Sequence, residues 1–243
     1  PTSVAGVRGT EFRMAFDAKS KESVIEVLTG AVRVRADRET EDRQLQAQQG
    51  LVISPEGTTL PVETLLAPPR YVPEVQQRAP SGQVFFEINP KARHYTLVTA
   101  EDVLFLDRIK EYGPRATPRL DVTNTSSRAT FVRWASVSDS GLMGGFSDFG
   151  ICQGERLQGQ WRCDVAFSLS GALQPYLKLE RMTDAGSWQV LLDSAVSVGK
   201  QQSLLFRNLA AGRYRWRLDR QTASSRTLSS EGAFQLLALR SPE

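Results

Sequence analysis

The sequence predicts an all-β chain in which a small β-domain precedes two β-sandwiches. Three observations carry that expectation. Short apolar–polar alternations recur about every 8–12 residues, punctuated by Gly, Pro, Asp and Ser clusters. Helical periodicity is absent from the first seventy residues, and the last two thirds repeat their own strand pattern. Composition agrees: 40% of the 243 residues are hydrophobic and 23% charged, enough to bury cores. No run approaches the ~20 apolar residues that a membrane-spanning helix needs, so no membrane span is expected in this segment.

The first seventy residues read as short strands. Thr10 to Phe16 alternates, with Phe12, Met14 and Phe16 on one face and Glu11 and Arg13 on the other. Asp17–Ser23 makes a turn, Val24–Leu28 a second strand, and Gly30 separates it from Ala31–Arg35. A charged tip over Asp37–Arg43 leads to Leu45–Ala47. Gly50 then introduces Leu51–Ile53, and Ser54-Pro55-Glu56-Gly57 has turn chemistry. Residues 67–82 are proline-rich. Proline lacks an N–H donor and fixes φ, so this segment is expected to run extended as an interdomain linker, docked through Leu65, Leu66 and Tyr71.

The run Val4-Ala5-Gly6-Val7-Arg8-Gly9-Thr10-Glu11-Phe12, followed by Val24-Ile25-Glu26-Val27-Leu28-Thr29-Gly30-Ala31-Val32-Arg33-Val34 and then Gly50-Leu51-Val52, resembles the C-terminal half of a FecR domain. Val7, Arg8, Gly9, Thr10, Phe12 and Gly30 carry the motif. The resemblance covers about residues 1–60 and implies a bacterial, extracytoplasmic address. It also implies either a cell-surface signalling regulator or a module beside cell-wall-binding domains. Some FecR-like regulators cleave themselves at a Gly-Thr bond, and Gly9-Thr10 supplies that dipeptide. The chain starts at Pro1 rather than Met, which is expected of a piece of a longer precursor or a processed product.

Beyond the linker, residues 83–150 and 163–243 contain matching strands. Gln83–Ile88 corresponds to Cys163–Leu169, His94–Val98 to Tyr176–Leu179, and Thr130–Val137 to Arg213–Leu218. Both copies resemble fibronectin type III-like or Ig-like repeats. The expected organisation is therefore a partial FecR-like β-domain (1–66), two fibronectin type III/Ig-like sandwiches (83–150 and 163–243) and a connector (151–162) between them. Within the first copy, Val103-Leu104-Phe105-Leu106 reads as strand plus turn, with a short helix as the alternative. Phe146 and Phe149 are expected to pack back on the core.

Candidate sites are few. Thirty basic and twenty-seven acidic residues give +3, too mild a charge to mark a nucleic-acid or membrane-surface binder. One histidine and two cysteines exclude histidine-rich zinc sites and iron–sulfur clusters. No phosphate-binding loop, dinucleotide fingerprint or calcium loop appears, so no cofactor is expected. Cys152 and Cys163, eleven positions apart, would pair in an oxidising compartment and staple the connector to the second sandwich. In Arg213-Tyr214-Arg215-Trp216-Arg217-Leu218, interleaved bases and aromatics suit a nucleic-acid reader. Strand alternation favours instead Tyr214, Trp216 and Leu218 in the core, leaving Arg213, Arg215 and Arg217 as a possible anionic-ligand face. His94 lacks a nucleophile motif beside it and reads as structural. Glu101-Asp102 and Glu41-Asp42 read as solvated charges, whereas Glu26 and Glu87 lie in strands and could line a groove.

These readings converge on a non-catalytic, extracytoplasmic binding or scaffolding protein. Its expected partners are envelope proteins and/or peptidoglycan or surface polysaccharide, in a possible larger assembly. The alternatives are a signalling regulator and a carbohydrate-active enzyme whose acids meet only in the fold.

Overall fold

The computed structural model describes residues 3–7, 10–76, 83–121, 127–153, 155–157, 160–169, 175–196, 203–221 and 226–239. In the N-terminal unit, β1 (Ser3–Val7), β4 (Ala31–Ala36) and β5 (Arg43–Gln46) form one sheet in the order β1-β4-β5. β2 (Glu11–Phe16), β3 (Ser23–Thr29), β6 (Gln49–Ile53) and β7 (Glu63–Thr64) form a second, ordered β2-β3-β6-β7. The chain passes from the second sheet to the first at Gly30, whose φ of 79° is cheap only for glycine. Ile25, Val27, Val32, Val34, Leu45, Leu51 and Ile53 fill the space between the sheets.

Of the apolar face expected on β2, Phe12 packs on the core, whereas Met14 is 48% and Phe16 64% exposed. Arg13, on the other face, turns inward toward the next unit. Central β3 is covered on both faces, since Val24 and Leu28 pack on a second cluster made by Val52, Leu65 and Leu142. Leu142 belongs to the loop 138–146 of the first sandwich.

Residues 67–73 cross to that sandwich as a docked strap. Ser136 Oγ donates to Ala67 O at 2.8 Å, Ser147 Oγ to Pro69 O at 2.8 Å, and Glu87 N to Arg70 O at 2.8 Å. Side-chain hydroxyls thus satisfy carbonyls of a segment whose prolines supply no donors. Tyr71 bridges Phe86, and one helical turn, α1 (Pro73–Gln76), follows.

The two copies share one strand plan. In the first, β8 (Gln83–Phe85) pairs β11 (Arg119–Asp121), facing β10 (Lys110–Arg115), β9 (His94–Ala100), β12 (Thr130–Val137) and β13 (Ser147–Gln153) in the order β10-β9-β12-β13. In the second, β14 (Glu155–Leu157), β15 (Gln160–Ser168) and β18 (Ser203–Ala210) face β17 (Trp188–Ala195), β16 (Pro175–Met182), β19 (Gly212–Gln221) and β20 (Arg226–Leu239), ordered β17-β16-β19-β20. The chain is all-β, built of sandwiches with fibronectin-like connectivity.

The larger layers are continuous. β13 pairs in parallel with β20, Phe149 opposite Gln235 through Gln153 opposite Leu239, giving one eight-stranded sheet. Its two halves are covered on opposite faces. Phe86, Tyr95, Leu97, Trp134 and Phe149 make the first core. Phe167, Leu177, Leu179, Tyr214, Trp216 and Phe234 make the second, into which Phe131, Phe105 and Val103 of the first copy also project. Two expectations need correction here. The described residues of 151–162 are strand: 151–153 continue β13 alongside β20, and 155–157 and 160–162 belong to β14 and β15. Val103–Leu106 is neither strand nor helix; the buried Asp102 carboxylate coils it by accepting the N–H groups of Leu104, Leu106 and Asp107 at 2.8–3.0 Å.

Candidate functional site

Among the described residues, the side of β17-β16-β19-β20 turned away from β14-β15-β18 lies open. Alternation along β19 buries Tyr214 and Trp216 and puts Arg213, Arg215 and Arg217 on this face, as expected. Burial pushes the Tyr214 phenol up to about 12, and its hydroxyl donates to Ala210 O. Aromatics committed in this way cannot stack on nucleic-acid bases.

The register sets Arg215 and Arg217 among acids and one lysine. Lys178 lies opposite Arg217 and Glu180 opposite Arg215 on β16, and Glu231 lies opposite Arg217 on β20. Arg215 Nε meets Glu180 Oε2 at 2.6 Å, Lys178 Nζ meets Glu180 Oε1 at 3.2 Å, and Arg217 Nε meets Asp219 Oδ1 at 2.8 Å. The hydrogen bond from Arg215 holds Glu180 below the usual carboxylate range. The bond to Glu180 raises Arg215, and the bond to Asp219 raises Arg217. These residues line a groove of about 880 Å³ in which Lys178, Arg215 and Arg217 face Glu180, Asp193, Asp219 and Glu231. Of the three arginines expected to form an anionic-ligand face, Arg215 and Arg217 carry charges already matched within the sheet.

Arg213 differs. Its guanidinium has no ion pair or hydrogen bond among the described residues. It lines a second, adjoining cleft of about 570 Å³ between the strap and the sheet, with Tyr71, Pro69, Met182, Trp188 and Gln235. The other charges at this cleft are spoken for. Arg70 holds Glu87 at 2.7 Å, and Asp148 holds Arg133 through two bonds of 2.7 and 2.8 Å. Half-buried Trp188 lies at the outermost strand with Arg215 over its ring, 4.5 Å from the centroid. Sequence reading passed over Trp188; a lone tryptophan just after the Gly186 turn was the available signal.

Other predicted positions fall elsewhere. Cys152 and Cys163 form a disulfide with Cα atoms 6.1 Å apart. It joins β13 to β15 across the second core, both cysteines being at most 1% exposed. It is thus an inter-sheet bridge rather than a staple on a surface connector. His94 opens β9, half-buried, and burial followed by neighbouring Arg93 lowers its pKa. Glu41 and Asp42 are exposed, and Glu87 pairs Arg70 on the surface. Asp102, expected in solvent, is fully buried, and also accepts Ser168 N of the second sandwich.

Glu26 lines no open groove. It is 3% exposed and clamps the N-terminal unit to the loop 138–146. Its carboxylate takes Arg13 Nε at 2.9 Å and Met143 N, while Arg13 donates to the carbonyls of Met143 and Gly144. Burial raises the Glu26 pKa against the opposing pull of Met143 N–H and Arg13. Phe146, expected in the core, is 36% exposed, with the Arg13 and Arg133 guanidiniums over its ring.

Of the motif residues, Arg8 and Gly9, and with them the Gly9-Thr10 bond, lie outside the described residues. Val7 pairs Val32 between β1 and β4, Thr10 Oγ1 donates to Ala31 O at 3.1 Å, and Phe12 packs on the N-terminal core. Among the described residues no three His, Cys, Asp or Glu gather to hold a metal, and no helix is long and apolar enough to cross a membrane.

No family model and no curated protein matches the chain, so the FecR resemblance has no support beyond its motif residues. Among solved structures, the FN1–FN3 domains of chicken CNTN1 are similar over 93% of this chain and 97% of that one, at 12% identity and a TM-score of 0.21.

Proposed function

We propose that the chain is a non-catalytic binding and scaffolding protein of the bacterial envelope, working in an extracytoplasmic compartment. The observation that carries this is the open half-sheet, where two adjoining concavities lie together with the edge of β17, which pairs with no further strand among the described residues. A sheet edge offers backbone donors and acceptors to a partner strand, and concavities beside it add side-chain selectivity. The disulfide is compatible with an oxidising address. The FecR-like motif of β2–β4 supports a bacterial envelope origin, either as a scaffold or as a cell-surface signalling regulator.

A photo-crosslinking residue at exposed Gln189 of β17, with a control at Glu111 on the opposite sheet edge, tests the reading in cells. Adducts at 189 and not at 111 are expected, with mass spectrometry separating protein from glycan. Irradiation that captures nothing at 189 counts against a binding face there. Hydrolysis of a surface polysaccharide by the purified chain would favour a carbohydrate-active enzyme instead.

A further inference from the structure

We propose that the cleft between the proline-rich strap and the sheet binds a carboxylated saccharide, a pyranose ring bearing one acid group. This deepens the binding reading above and rests on it. Three observations select the ligand class. Arg213 is the one cation at the cleft whose charge is unmatched among the described residues, so the site is complementary to a single anionic group. Tyr71 supplies one ring at the cleft and Trp188 a second, one face of which carries Arg215, and an aromatic face takes the apolar face of a sugar. Gln235 adds a side-chain amide at the cleft, and Ser147 Oγ, whose proton goes to Pro69 O, keeps its accepting lone pairs.

The strap argues against an extended peptide. Strand addition requires a wall with free backbone donors and acceptors. Pro68, Pro69 and Pro73 have no N–H, and the carbonyls of Ala67, Pro69 and Arg70 already accept Ser136, Ser147 and Glu87. Recognition in this cleft must therefore come from side chains. The neighbouring groove cannot substitute for it, because Arg215 and Arg217 are committed to Glu180 and Asp219.

The test compares methyl β-D-glucuronide with methyl β-D-glucoside, which share a ring and differ at the C6 group. The readout is the Trp188 indole N–H resonance of the full chain, assigned with Trp188→Phe. Saturable shifts are expected with the glucuronide bound at least about fivefold more tightly than the glucoside. Arg213→Gln, at an exposed position, should abolish that preference and leave the glucoside unaffected. The proposal is overturned if the glucuronide leaves the Trp188 resonance unmoved, if both sugars bind equally, or if Arg213→Gln keeps the preference. It is also overturned if the acidic peptide acetyl-Leu-Pro-Glu-Leu-amide shifts Trp188 while the glucuronide does not, which assigns the cleft to a peptide partner. Crosslinks at 189 without glucuronide binding would remove the saccharide and leave the binding reading standing.

Discussion

The residues that decide how the units are joined are buried charges whose partners come from distant parts of the chain. Glu26 receives Met143 N from 117 positions away, and Asp102 receives Ser168 N from 66 positions away. Removing one partner of such a pair strands the other, so Arg13→Ala should cost about 3 kcal/mol, measurable by chemical denaturation. The pH dependence has a definite sign. Because burial raises Glu26 above its ordinary 4.5, the folded chain holds that proton to higher pH than the unfolded one. Its contribution is complete below the unfolded value and is lost as pH rises through the folded one. The Arg13→Ala deficit should therefore be larger at pH 7 than at pH 4, and Glu26→Gln should remove the difference. Gly144 makes a steric counterpart, since a Cβ there would stand 1.9 Å from Leu66 O. Gly144→Ala should cost about 1–3 kcal/mol by overpacking, read as a lower thermal midpoint. What the sequence disclosed at this scale was local. Strand period fixed the faces of residues 213–218, whereas nothing beside Glu26 or Asp102 announces that another unit will close over it.

At the scale of elements, the repeat was legible because matching strands carry matching alternation, and the four-stranded layer has the same order in both copies. The segment 151–162 misled because its turn-rich look hides two functions of one strand. β13 finishes the first sandwich and, through Cys152, enters the core of the second. The disulfide should behave accordingly. No thiol should be alkylated in the native protein, and two should appear once it is reduced in denaturant. Replacing both cysteines by alanine should lower stability by about 2–4 kcal/mol, whatever share comes from loop closure or from packing. A surface staple would instead be reduced readily in the folded state. The strap shows the same lesson in polar terms. Its prolines predicted an extended segment correctly, but its docking depends on Ser136 and Ser147, two hydroxyls in strands that offer no local sign of that duty.

For the whole molecule, the parallel junction of β13 with β20 makes the sandwiches one mechanical body, and no local pattern encodes it. Strand alternation is the same whether the last strand of a sandwich ends at solvent or meets another sheet. The consequence is energetic. Phe131 of the first copy packs edge-on to Phe234 of the second at 5.3 Å, and Val103, Phe105 and Ala129 share the second core. The backbone joins them again where Val103 N donates to Ala166 O at 3.0 Å and Ala129 N to Asp164 O at 2.8 Å. Unfolding either sandwich alone would expose part of the other's core and leave these backbone groups without partners. The two should consequently unfold in one transition. Variants retaining a single tryptophan report on each half: Trp134 sits in the first core and Trp216 in the second. Urea titrations of the two should give coincident midpoints and slopes, whereas separate midpoints would mean that the shared sheet does not couple the copies. Such coupling would keep the open half-sheet, with Trp188 and Arg213, rigid under load. That is what the proposed scaffolding role requires of this face.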